Sequence, residues 1–147
     1  MHNYTTFIRL HASADKVYNA LTQEIPLWWT EQFEGFSHIE NKLFTVRFGP
    51  HVHKTLRVKK LTLCSEIIWE VTDSLIDIPE LSNQTEWIGT TIIWNISHKG
   101  TNTELQLIHI GLIPETECYD ICSDGWRQFT ESLKSYIENG KGIPYKI

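Results

Sequence analysis

At 147 residues, 41% hydrophobic and 21% charged, the chain has the length and composition of one folded globular domain. Its formal net charge of −5 leaves no basic field to neutralise phosphates, so nucleic acid is not an expected partner. No segment approaches the ~18 consecutive apolar residues of a membrane span, the cysteine count is odd, and the first ten residues lack a basic stretch leading into an apolar run, so a reduced, cytoplasmic protein is expected.

The chain opens with β-formers over residues 3–10, followed by Ser13 ahead of Ala14, Val17, Tyr18 and Leu21 at helical spacing, which predicts a strand leading into a short helix. Pro26 suits the first turn of a second short helix, loaded with Leu27, Trp28 and Trp29. From about residue 33 to 112 the apolar period becomes two, as in an antiparallel meander. Phe44, Val46 and Phe48 alternate before the Gly49-Pro50 turn, residues 54–63 read as a charged strand, and Ile67, Trp69 and Val71 share a face of the next. Residues 85–97 are predicted as the longest strand, with Ile92, Trp94 and Ile96 on one side. Lys99-Gly100 then closes a hairpin to a strand in which Leu105, Leu107 and His109 share a face. The irregular stretch 74–84 reads as a lip over a cavity or as a crossover loop.

After Pro114 a single stripe of Cys118, Ile121, Cys122, Trp126, Phe129, Leu133, Tyr136 and Ile137 predicts a helix of roughly six turns, with acids at its start and Gly140 as its cap. A long helix must cover the apolar face of such a sheet, so the expected fold class is α+β, a curved antiparallel sheet gripping a long C-terminal helix, in one domain over 1–147. Six Trp, six Phe and five Tyr are the compositional oddity, because so much ring surface must either fill the interior or line a space.

Several short segments, in order, resemble a known family: residues 12–18 (ASADKVY), Trp28-Trp29, Phe44 to Phe48, Trp69, residues 86–91 (EWIGTT), residues 109–114 (HIGLIP), residues 117–122 (ECYDIC), Trp126 and Ser132-Leu133. Together they resemble the small bacterial proteins related to the C-terminal domain of the activator of the heat-shock-protein-ninety ATPase. These belong to the SRPBCC superfamily of START domains, birch-pollen-allergen-like proteins and polyketide cyclases. The resemblance covers about residues 3–143 and implies the helix-grip fold, an internal cavity and frequent self-association, so a homodimer is one expected arrangement.

The expected role is binding of a small hydrophobic or amphipathic molecule in that cavity. The candidate lining is Trp29, Phe44, Trp69, Glu86, Trp94, His109, Tyr119, Trp126 and Phe129, with His109, Glu86 and Tyr119 orienting the ligand's polar group. Two alternatives stand beside it: a cyclase- or hydrolase-like enzyme with His109 as acid or base, and an interaction module resembling the ATPase activator. A carboxylate from Glu86 beside His109 would fix its tautomer; otherwise His109 is a buried neutral ring and Glu86 a rim carboxylate. Cys118 and Cys122, four residues apart, are expected to be small buried hydrophobes. With His109 they supply three zinc-type ligands, but a helical CxxxC lacks the knuckle of a zinc site, so no metal and no cofactor is expected. His51 and His53 read as a solvated hairpin.

Overall fold

The computed structural model describes residues 2–146. Its strands are β1 (Tyr4–Leu10), β2 (Gln32–Gly35), β3 (Leu43–Arg47), β4 (Val52–Thr62), β5 (Glu66–Ile76), β6 (Thr91–Lys99) and β7 (Asn102–Ile110), and its helices are α1 (Ala14–Gln23) and α2 (Tyr119–Asn139). The seven strands form one curved antiparallel sheet in the order β1-β7-β6-β5-β4-β3-β2. This is the helix-grip arrangement.

Period-two alternation sets the inner face. Trp69 on β5 faces Val58 on β4 and Ile92 on β6, while Trp94 on β6 faces Leu107 on β7, and all are buried. Register shifts in the β4–β5 pairing at Thr55/Leu56 and Val58/Lys60 add the irregularity that lets long strands bend. α2 lays Cys122, Trp126, Leu133 and Ile137 on the sheet, and its last turn closes on Gly140, whose N–H donates to the Tyr136 carbonyl at 2.8 Å.

Three expectations change. The second short helix is a single 3-10 turn, Ile25–Leu27, around Pro26. The longest strands are β4 and β5, at 11 residues each, and β5 absorbs residues 74–76 of the expected irregular stretch. β6 begins only at Thr91, because residues 85–90 turn: Ile88 N–H donates to Thr85 O, Thr90 N–H to Trp87 O, and Gly89 sits at φ +86°, where an L side chain would be strained.

A cavity beside an interlocked aromatic core

Much of the ring surface packs against itself. Trp29 lies parallel to both Trp28 and Trp69 at 5.5 and 5.8 Å between centroids. Trp69 meets Trp94 edge-on at 5.7 Å and Phe44 at 5.2 Å, and Trp94 meets Trp126 at 5.8 Å. Phe44, Trp69 and Trp94 are therefore core residues, interlocked and buried, and they do not line the open space. The indole N–H groups of Trp69 and Trp94 have no hydrogen-bond partner among the described residues.

His109 is fully buried at the edge of this cluster, with both ring nitrogens engaged. The Trp126 indole N–H donates to Nδ1 at 3.0 Å; since an indole only donates, Nδ1 is unprotonated and Nε2 carries the hydrogen. Nε2–H then donates to Thr90 Oγ1 at 2.9 Å, and the Thr90 hydroxyl donates to the Trp87 carbonyl at 2.6 Å. The tautomer is fixed by an indole and a threonine, not by Glu86. Burial, reinforced by the positive charge of Lys54, drives the ring's pKa down to about 3, so His109 is neutral at any ordinary pH.

Glu86 does different work. Its carboxylate accepts from the backbone N–H groups of Glu117 at 2.9 Å and Cys118 at 3.0 Å, supplying the cap that Cys118 itself lacks at the start of α2. Glu117 reciprocates by accepting from Ser82 N–H and Oγ–H and from Asn83 N–H, and these bonds hold its carboxyl below the usual range. The 77–84 segment is thereby tied to the head of α2. Tyr119 packs edge-on against Tyr4 at 6.5 Å and does not face the open space.

That space is a cavity of about 300 Å³ between the first half of α2, the ends of β4 and β5 and the C-terminal tail. Of the expected lining, Trp29, Trp126 and Phe129 border it; the rest of its wall includes Phe48, Lys54, Ile78, Trp87, Cys122 and Tyr145. Gly125, in mid-α2, leaves room there, since a Cβ at that position would meet no atom within 4 Å. Tyr145 arrives from the tail through backbone bonds, its N–H donating to Trp29 O at 2.9 Å and its carbonyl accepting from Glu31 N–H at 3.0 Å. Gly49 makes way for it, because a Cβ there would stand 2.9 Å from the tyrosine hydroxyl.

Lys54 is the one buried cation of the wall. Its Nζ stands 4.4 Å from the Trp87 ring centroid and 4.9 Å from that of Phe48. Burial lowers its pKa to about 8, with the Cys122 and Cys118 thiols opposing the shift. The Trp87 indole donates to Cys122 Sγ at 3.2 Å. The thiol of Cys118 is pushed up and that of Cys122 drawn down, chiefly through their interaction with each other. No cluster of three or more His, Cys, Asp or Glu side chains arranged to hold a metal occurs among the described residues. His51 and His53 each meet a separate carboxylate, Asp77 at 3.7 Å and Asp73 at 3.2 Å.

The sequence did carry a signal for Lys54, which shares its strand period with the inward-facing Leu56 and Val58. Trp87 lies in a run of strand-forming residue types that gives no sign of the turn it occupies. Tyr145 follows the last helix and has no periodic neighbour to mark it.

Comparison with known proteins agrees with this architecture. The solution structure of the Aha1 dimer from Colwellia psychrerythraea superposes with a TM-score of 0.80 at 27% identity, covering 97% of this chain and all of that one (100%). Protein MLL2253 from Mesorhizobium loti has a TM-score of 0.70 at 18% identity over 90% of this chain and 95% of its own. CalU16 from Micromonospora echinospora has a TM-score of 0.65 at 15% identity over 92% and 76%. The latter two show the fold alone. No curated protein matches the chain. Residues 11–138 match the family described as activator of Hsp90 ATPase homolog 1-like protein, and the chain therefore belongs to that family, within the SRPBCC superfamily.

Proposed function

We propose that the protein binds a small hydrophobic or amphipathic molecule in the cavity under α2. The observation that carries this reading is a pocket of about 300 Å³ beside a densely interlocked core, with a glycine on its α2 wall where an added Cβ would meet no atom within 4 Å. A helix-interior glycine costs about 1 kcal/mol relative to alanine, and a half-open apolar wall leaves its rings in contact with water. A ligand offsets both. Burying roughly 200 Å² of apolar ligand surface contributes about 5 kcal/mol before ordering costs. The volume lies at the small end of ligand pockets, which favours a bicyclic aromatic or a short alkyl body over a long lipid chain. An acid–base enzyme reading centred on His109 finds no free ring nitrogen.

Two finer features belong to the same proposal. The three cysteines are free, which suits a reducing compartment such as the cytoplasm. Self-association through the outer sheet face is also proposed: Ile68, Ile93 and Ile108 stand in one row across β5, β6 and β7, and Phe7, 60% exposed, is one diagonal away on β1.

Calorimetric titration with the neutral probe 2-naphthamide tests the binding reading. Wild type is expected to bind it, and Gly125→Leu, which adds a bulky side chain on the α2 wall of the pocket, is expected to lose at least tenfold in affinity. Absence of binding to wild type, or equal binding to a folded Gly125→Leu protein, would overturn the reading.

A further inference from the structure

Lys54 is 8% exposed and occupies an inward position of β4 whose neighbours in the alternation are Leu56 and Val58. The carboxylates on adjoining backbone are engaged elsewhere: Asp73 with His53, Glu70 with Arg57 and Asp77 with His51. Among the described residues the Lys54 ammonium has no hydrogen-bond or ion-pair partner. Ser74, directly opposite it in the β4–β5 pairing, is also buried, and its Oγ has no partner either. The titratable groups acting on the amine are the Cys118 thiol at the head of α2, the Cys122 thiol of α2 and neutral His109 from β7, and Tyr145 stands on the same wall. Much of the remaining wall, including Val52, Ile76, Ile78 and Phe129, is apolar.

An ammonium held among rings and apolar side chains, with no charged partner and only the half-open pocket in front of it, is less well solvated than in water, and its charge defines what would relieve it. Ring faces attract the ammonium but do not neutralise it. Resting on the binding reading above, we propose that the cavity selects a small carboxylic acid with an aromatic or short alkyl body, its carboxylate pairing with the Lys54 ammonium and its body lying against Trp29, Trp126 and Phe129. The orienting group is then Lys54, and not His109, Glu86 or Tyr119.

The test compares 2-naphthoate with its neutral isostere 2-naphthamide by calorimetry at pH 7, on wild type and on Lys54→Met, whose side chain has similar length and no charge. Wild type is expected to bind the acid at least tenfold more tightly than the amide. Lys54→Met is expected to lose that preference, the ratio of acid to amide affinity falling to about one. Equal affinity of wild type for acid and amide, or an acid preference that survives in Lys54→Met, would overturn the assignment and leave the cavity reading standing. Failure of both probes would overturn both. Should the variant not fold, the wild-type comparison still decides. A control addresses the internal alternative: rapid alkylation of Cys122 by iodoacetamide at pH 7 would show that its thiolate already neutralises Lys54, and this too would overturn the proposal.

Discussion

Lys54 and His109 are both buried bases, and their neighbours give them opposite roles. His109 has a partner on each nitrogen, so it belongs to the packing; His109→Ala strands the Trp126 indole N–H and removes the ring that meets the stacked Trp87 and Trp126 edge-on. The expected cost is about 2–4 kcal/mol in urea unfolding. Because its pKa falls from an ordinary 6.5 to about 3 on folding, the unfolded chain binds the extra proton between those values. The stability His109 contributes is complete above pH 6.5 and is lost as the pH drops towards 3, a loss that the alanine variant should not show. Lys54 lacks such partners. Its pKa also falls on folding, from 10.5 to about 8, so stability rises as the pH climbs through that window and the lysine is relieved of its proton. Lys54→Met is expected to be more stable than wild type by about 1–3 kcal/mol at pH 7, with the gain vanishing near pH 10.5. A loss of stability at pH 7 would mean that the charge is compensated. Neither role was legible from residue type alone: a histidine among leucines and a lysine among charged neighbours look alike in a strand until the partners are known.

At the scale of elements, α2 was the most legible part of the chain, since its apolar stripe, acidic start and glycine end follow directly from helix geometry. What positions its first turn was not, because Glu86 lies 31 residues before Glu117 and the contact is made only in three dimensions. Glu86→Ala is expected to cost about 1–2 kcal/mol and to accelerate amide exchange selectively at Glu117 and Cys118. Unchanged exchange at those two amides would show that water caps the helix equally well. The strands follow from alternation, but β6 starts later than alternation suggests: residues 85–90 carry strand-forming types, and the turn they make is closed by the local bond from Thr90 to Trp87 and held by the long-range bond from Gly89 to Val71. The same turn buries Trp87 over Lys54, so the strand-like pattern of residues 85–90 conceals a wall of the site.

For the whole molecule, the fold was readable from the order of elements, whereas the division of its aromatic residues was not. Composition shows that the rings are numerous; only packing shows that Trp28, Trp69, Trp94 and Phe44 close the interior while Trp29, Trp87, Trp126, Phe48 and Phe129 border a space. Self-association belongs to this scale as well. If the outer row of Ile68, Ile93 and Ile108 meets a second copy, Phe7→Glu together with Ile108→Glu should shift light-scattering mass from dimer to monomer, and a wild-type monomer at high concentration would remove that part of the proposal. The division of the indoles provides its own readout, since each of the six Trp gives one side-chain N–H resonance. Titration of the protein with 2-naphthoate, followed by two-dimensional ¹H–¹⁵N NMR, is predicted to move the indole signals of Trp29, Trp87 and Trp126 most, with those of Trp28 and Trp69 nearly still. Indole signals that stay fixed at saturating probe, or that move equally in core and wall, would contradict the account.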